Sequence, residues 1–447
     1  MTSLPAIAGV LALFLAAPAA QAMEVERVVS PGGIEAWLVE DHSNPLIALE
    51  VVFEGAGGVA DPDGKLGLSE FAASVIDEGA GDLDSQAFQG ELEDYNIKLS
   101  FGAGQDNFSG SLETLTENRE RAFELLRLAL SEPRFDEEPV ERIRGQLAIG
   151  AARAARNPSD IANRNLQELI FEDHPYSRPN GGTAKTLQAI AAADMRALIE
   201  TRLARDNMVI GVAGDITPEE LGRLLDSTFA ALPAESQLPE IPEIEVAGEG
   251  DVVVAEMPIP QSVVRIAQAG IARDDPDYYA AQLVNEVLGG GGFFSRLYAE
   301  VREKRGLAYS VWSYLRSGDY GNATYAGVAT ENSRVGESLE VIREQWRRMA
   351  EGGPSAEELE LAKQHMTGSF PLRLSSSGAV AGMLAAIQLE KLGIDYLDER
   401  AGYIEAVTLE DARRVARELL DADSLDVVIV GAPGEIETTR PPLDPGS

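Results

Sequence analysis

The chain has 447 residues, 45% hydrophobic and 25% charged, with a formal net charge of −37 and no cysteine. That composition is globular rather than disordered, and a chain this long buries sizeable cores without covalent staples. It excludes disulfides, thiolate metal sites and cysteine nucleophiles, and its negative charge repels phosphate backbones, so nucleic acid is not an expected partner.

In chain order, residues 1–22 read as a secretory signal peptide. An apolar stretch runs from Ala6 to Ala17, and Ala20-Gln21-Ala22 matches a small-x-small cleavage site, although Met1 to Pro5 hold no Lys or Arg. The apolar run is too short to span a bilayer with ease, and no later segment is apolar enough for a membrane span. A periplasmic or secreted protein is expected.

The remainder divides into residues 23–231, a linker at 232–250, residues 251–435 and a tail at 436–447. Each half opens on an alternating strand, Leu46–Phe53 and then Val263–Ala269. A long amphipathic helix follows, Leu66–Ile76 and then Pro276–Leu288, and further strands come at Ile97–Gly102 and Ala323–Ala329. Helical stretches and a last strand close each half, at Met208–Val212 before Gly214 and at Leu425–Val430 before Gly431. Asp411 follows Asp194 by 217 residues, and Gly431 follows Gly214 by the same 217. A period of that size means a duplicated domain. Helices grouped against sequential strands predict an α+β fold of two homologous α/β-sandwich domains, each sheet covered on one face. Leu232–Gly250, rich in Pro and Glu, reads as the linker.

Gly67-Leu68-Ser69-Glu70-Phe71-Ala72-Ala73-Ser74-Val75-Ile76-Asp77-Glu78-Gly79-Ala80, with Gly55 and Pro62 upstream, resembles the insulinase/pitrilysin zinc peptidases and their mitochondrial-processing-peptidase-like relatives. The resemblance implies a metallohydrolase-like, antiparallel-rich fold forming half of a clamshell. In active members this helix carries H-x-x-E-H, two zinc-binding His flanking a general base. Here Glu70 stands at the first His, Ala73 at the base and Ser74 at the second His. The third ligand position falls near Gly150, and Glu141 lies more than two helical turns away. Zinc needs three protein ligands and an open position for water, so no metal is expected in this chain. The three histidines, His42, His174 and His365, lie far apart and lack ligand-like neighbours at i+3 or i+4.

The second half carries Leu288-Gly289-Gly290-Gly291-Gly292-Phe293-Phe294-Ser295-Arg296-Leu297-Tyr298, running on to Arg302, Gly306 and Tyr309. Four glycines predict a flexible turn with exposed backbone, after which Ser295 caps a helix that Gly306 ends. The run lacks the G-x-G-x-x-G pattern and a following Lys-Ser/Thr, which weakens a phosphate-cradle reading. It is similar to the Gly-rich loop lining the substrate chamber of the same peptidases, with Arg302 and Tyr309 at the positions of an Arg/Tyr pair. By resemblance, that pair reaches the zinc site of a facing domain, where the Tyr hydroxyl serves the oxyanion and the Arg binds substrate carbonyls or carboxylates. The resemblance implies the non-catalytic half of a heterodimer. Its zinc-bearing homologous subunit would supply metal, base and water, and a peptide would be the substrate. The alternative is a catalytically inert homodimeric scaffold or peptide-binding protein of the same fold.

Overall fold

Strands whose residues are apolar at successive positions need both faces covered. Leu46–Phe53, Met208–Gly214 and Asp426–Gly431 are such strands, the last buried along its whole length. A computed structural model, describing residues 23–246 and 248–443, shows how this chain covers them. The signal peptide expected at 1–22 and the last four residues of the tail lie outside the described residues.

The first sheet holds β1 (Glu26–Val29), β2 (Glu35–Glu40), β3 (Leu46–Phe53), β4 (Lys98–Ala103), β5 (Phe108–Leu115) and β6 (Met208–Gly214), in the order β1-β2-β6-β3-β5-β4. The second holds β7 (Val252–Glu256), β8 (Gln261–Ala269), β9 (Ala308–Ser317), β10 (Asn322–Glu331) and β11 (Asp426–Gly431), in the order β7-β11-β8-β10-β9. Setting β1 aside, each strand of the second sheet carries the number of its counterpart plus five, which is the duplication written as topology. Both sheets are antiparallel except at one equivalent pair, β2 with β6 and β7 with β11. Gly214 and Gly431, the repeat markers, end the equivalent strands. At Gly214 (φ +132°) a Cβ would fall 2.1 Å from the Leu46 carbonyl oxygen. Asp194 and Asp411, the other marker pair, accept hydrogen bonds from the backbone N–H groups of Ala191 and Thr408 and so cap equivalent helices.

The helices of the first half are α1 (Leu68–Val75), α2 (Ser85–Asp94), α3 (Arg119–Ser131), α4 (Glu137–Ala154), α5 (Pro158–Phe171), α6 (Ala184–Ala189), α7 (Ala192–Arg202) and α8 (Pro218–Phe229). Those of the second are α9 (Tyr278–Asn285), α10 (Val335–Gly352), α11 (Ala356–Gly368), α12 (Ser377–Leu389), α13 (Tyr396–Ala406) and α14 (Leu409–Leu419). The helix expected from Leu66 begins at Leu68 because Gly67 is left-handed, with φ +87°. Among the described residues, no single helix is long and apolar enough to cross a membrane.

Each half covers one face of its sheet with its own helices, as expected. The other face is covered by exchange: α5 of the first half packs on β8 and β11, and α12 of the second packs on β2, β3 and β6. Leu166 and Phe171 thereby join a core with Tyr325, Val428 and Val430, while Val380 and Leu384 join one with Val39 and Ala213. Pattern reading within one half cannot supply the helix that comes from the other. The linker is irregular but held down. Ile244 N donates to the Tyr320 carbonyl at 2.7 Å, and His174 Nε2 lies 2.8 Å from the Pro242 carbonyl oxygen.

The exchange sets α12 almost on the backbone of β6. A Cβ on Gly211 would lie 2.1 Å from the Ala381 carbonyl oxygen and 2.9 Å from Ala385 N. Gly211→Val is therefore expected to push α12 off the sheet and destabilise the protein by about 1–3 kcal/mol or more, read from urea unfolding midpoints. An unchanged midpoint would show that this contact is soft.

Candidate functional site

The entry to α1 is built from buried polar groups. Asp61 Oδ2 accepts from Ser69 N at 3.1 Å, and its Oδ1 accepts from Ser69 Oγ at 2.7 Å. Arg202 Nη1 donates to the same Oδ1 at 3.0 Å and to Ser69 Oγ at 3.1 Å, while Nη2 donates to the Ala60 carbonyl at 2.9 Å. Burial pushes the Asp61 carboxyl up despite these partners. This network fixes the helix that carries the first set of candidate residues.

On α1, Glu70 is half-buried. Burial raises its carboxyl, and a hydrogen bond from the backbone N–H of Ala103, in the edge strand β4, works the other way. Ala73 is buried and brings no donor atom. The Ser74 hydroxyl donates to the Glu70 carbonyl at 2.8 Å, within its own helix. Gly150 is exposed on α4, and Glu141, more than two turns earlier on the same helix, is paired with Arg144 at 3.1 Å. Zinc needs three ligands of the His, Cys or carboxylate type. One carboxylate, one methyl, one self-bonded hydroxyl and one glycine do not fit it. Among the described residues no group of three His, Cys, Asp or Glu side chains converges as a metal site.

In the second half the structure corrects the four-glycine turn. α9 does not stop at the glycines but widens into a π-helical turn over Glu286–Gly290, and Gly291 N donates to the Glu286 carbonyl at 2.8 Å. Gly289 and Gly291 are glycine for lack of room. A Cβ on Gly289 would lie 2.4 Å from Ser313 Oγ, and one on Gly291 would lie 2.7 Å from the Glu286 oxygen. Gly290 and Gly292 alone of the four are exposed, and the chain turns at Gly292 with φ +55°. Phe293 and Phe294 then stand in solvent, 69% and 65% exposed.

The helix after Ser295 also widens to π geometry, over Tyr298–Glu303, and carries Arg302. Insertions of this kind concentrate at functional positions. Gly306, with φ +58°, turns the chain into β9, which begins at Ala308 on the free edge of the second sheet. Tyr309 is 82% exposed. The Arg302 guanidinium carbon lies 4.5 Å from the Tyr309 ring centre and 4.9 Å from that of Tyr298. The acids beside it do not claim it, because Glu300 is taken by Lys304 at 2.7 Å and Arg305 at 2.5 Å. Among the described residues the Arg302 guanidinium has no hydrogen-bond or ion-pair partner. The arrangement is a cation held between two rings with its N–H groups unspent.

Sequence reading missed Tyr298, although it sits one turn before Arg302. It also missed the acidic groups that meet between the halves. Burial, with Asp106, Glu54 and Glu390 nearby, pushes Asp319 up to about 6. These residues are scattered through the sequence and carry no signal there. The histidines stay apart. His174 is buried and lowered by that burial. His365 Nδ1 meets Glu286 Oε1 at 2.5 Å. His42 places Nδ1 2.5 Å from Asp215 and Nε2 2.7 Å from Glu40, which raises its pKa through the Asp215 and then the Glu40 hydrogen bond. The stabilisation from this raised histidine is fully present below its unfolded value and is lost as pH rises through the folded one. An imidazole proton NMR titration should place the His42 midpoint above about 6.5, and Asp215→Asn should move it back down. A midpoint unmoved by Asp215→Asn would break the assignment.

A duplicated α/β-sandwich, with an α1 that brings no converging zinc-ligand set among the described residues and an exposed Arg/Tyr pair in the second half, is what the resemblance to zinc peptidases leads one to expect. Comparison with known proteins agrees. Residues 189–366 match the family described as the Peptidase M16 inactive domain. The "Non-peptidase homolog YmxG" of Helicobacter pylori is 26% identical over 336 residues, covering 75% of this chain and 77% of that protein. The crystal structure of a peptidase M16 inactive domain from Pseudomonas fluorescens superposes with a TM-score of 0.85 at 28% identity, covering 91% of this chain and 98% of that one. The "Mitochondrial-processing peptidase subunit beta" of Saccharomyces cerevisiae is 23% identical over 345 residues, 74% of each chain. The chain is similar to insulinase/pitrilysin-type M16 peptidases, and both the matching family model and the Pseudomonas fluorescens structure are described as inactive domains.

Proposed function

We propose that this chain is the non-catalytic, substrate-binding and transition-state-assisting subunit of a heterodimeric, extracytoplasmic zinc peptidase acting on peptides or unfolded small proteins. One observation carries the reading: the unspent guanidinium of Arg302 beside the exposed hydroxyl of Tyr309, in a chain whose α1 lacks zinc ligands. A purely structural subunit has no use for a preformed hydrogen-bond donor pair in solvent, whereas donors aimed at developing charge are a major source of catalysis. The partner would supply zinc, base and water. This chain would supply Arg302 and Tyr309, with the Gly289–Gly292 segment as chamber wall and a free sheet edge for an extended peptide. A relative whose name marks it as a subunit supports assembly with another chain.

The test is to purify the chain alone and together with a homologue that keeps H-x-x-E-H, measuring zinc and cleavage of a quenched fluorescent peptide. Silence and no zinc alone, with one zinc and cleavage in the pair, is the expected result. Zinc and cleavage in the lone chain would overturn the account of α1. Silence in both would leave the inert homodimeric scaffold.

A further inference from the structure

A second place in the C-terminal half has polar groups with nothing to bind. A cavity of about 500 Å³ lies between the Ser295–Lys304 helix, α10 and the start of α11. Ser295, Ala299 and Lys304 form one wall and Gln345 and Arg348 another, with Phe294 at the rim. Arg302, on the same helix as Lys304, does not line it.

The acids that reach the cavity are already occupied. Glu358 receives Arg296 through two hydrogen bonds of 2.7 Å, which hold its carboxyl down at about 2, and also accepts from Ser355 N at 2.8 Å. Glu300 is shared by Lys304 and Arg305. What remains unspent is on the donor side. Gln345 is 1% exposed, and its buried Nε2 has no hydrogen-bond partner. A buried amide left in that state costs about 1–3 kcal/mol, and such groups are retained for a reason. The Arg348 guanidinium is largely exposed and meets only Glu344, at 4.0 Å. Three cations and two acids line the space, a net positive spot on a chain of net charge −37. The surrounding field would repel an anion everywhere except where local donors converge.

We propose that this cavity binds a carboxylate, the group presented by a peptide C-terminus or a small organic acid, with Arg348 as the fork, the Gln345 amide as the buried contact and Phe294 against its apolar part. An Arg fork and an amide match a carboxylate's two oxygens, and the exposed ring suits an apolar residue beside it. The inference needs no partner subunit and stands apart from the reading of Arg302 and Tyr309.

The test uses the purified chain and calorimetric titration with four probes: N-acetyl-phenylalanine, its amide, and a peptide ending in Phe with a free or an amidated C-terminus. Saturable binding of the free acids, weakened by roughly tenfold or more on amidation, is expected. Preference between the two acids tells a small-molecule site from a peptide-terminus site. Arg348→Gln, on the surface, should weaken binding by about tenfold or more without altering the unfolding midpoint. Gln345→Leu should also weaken binding while keeping or raising that midpoint, because it removes an unpaired donor. No saturable binding of either acid at millimolar concentration, equal binding of acid and amide, or binding indifferent to Arg348→Gln would each overturn the proposal.

Discussion

Tyr309→Phe is expected to lower the turnover of the assembled peptidase about 100-fold or more while leaving assembly and fold intact. The substitution removes one hydroxyl and keeps the ring, so the stack with Arg302 at 4.5 Å survives and the guanidinium stays where it is. At 82% exposure the hydroxyl makes no contribution to the core, and the unfolding midpoint should not move. A hundredfold loss corresponds to about 2.7 kcal/mol of transition-state stabilisation, the size of one oxyanion donor. Because the donor serves charge that develops only in the reaction, the loss should fall in kcat, with KM nearly unchanged. Arg302→Lys tests the other member. It keeps the charge but loses the planar fork and the stacking between Tyr298 and Tyr309, so it should raise KM for substrates bound through carbonyls or carboxylates. If Tyr309→Phe left kcat unchanged in a zinc-loaded pair, the oxyanion role would be wrong. If it dissociated the pair, Tyr309 would be an interface residue instead.

Most of the architecture was legible because it is written in local patterns. Strand alternation, the marker residues Asp194 and Asp411, which the structure shows to be helix caps, and the terminal glycines at 214 and 431 each depend on residues close in sequence, and the markers recur at the 217-residue offset. That α1 carries no His pair is read from the sequence directly, since a metal-binding helix shows its ligands at i and i+4. Three features were not. The exchange of α5 and α12 depends on which half meets which, and that information is absent from either half alone. The glycine run reads as a flexible turn because glycine in sequence signals freedom, whereas Gly289 and Gly291 are there because Ser313 and Glu286 leave no room for a Cβ. The stack of Tyr298 on Arg302 is an i, i+4 pair, but the π-helical widening over Tyr298–Glu303 that carries it is a change of register that a 3.6-residue period does not anticipate.

Arg202→Met is expected to destabilise the protein by about 3–5 kcal/mol at neutral pH, the largest stability effect of any single change considered. The side chains of Asp61 and Arg202 are 1% and 9% exposed, and neither reaches water once the other is gone. Methionine fills much of the volume, so the loss would come from electrostatics and unmade hydrogen bonds rather than a cavity. Removing the guanidinium strands the Asp61 carboxylate and the Ala60 carbonyl and takes a donor from Ser69. The pH dependence separates this account from a packing defect. Asp61 already sits above its ordinary value, with desolvation the largest cause, and loss of Arg202 would raise it further. A carboxyl raised in the folded state favours folding when protonated and loses that advantage as pH climbs from the unfolded value through the folded one. The deficit of Arg202→Met should therefore narrow as pH falls toward the ordinary carboxylate range and be widest above the raised value. Urea midpoints for the wild-type and variant proteins at neutral and mildly acidic pH measure it. A deficit of equal size at both would mean that lost packing, and not a stranded carboxylate, unfolds the variant. The double variant Asp61→Leu with Arg202→Met should recover only part of the loss. It removes the buried charge, yet the Ser69 N–H at the start of α1 then has no acceptor and the Ala60 carbonyl no donor. The pair is thus more than a compensated charge: it holds the first turn of the helix that carries Glu70, Ala73 and Ser74.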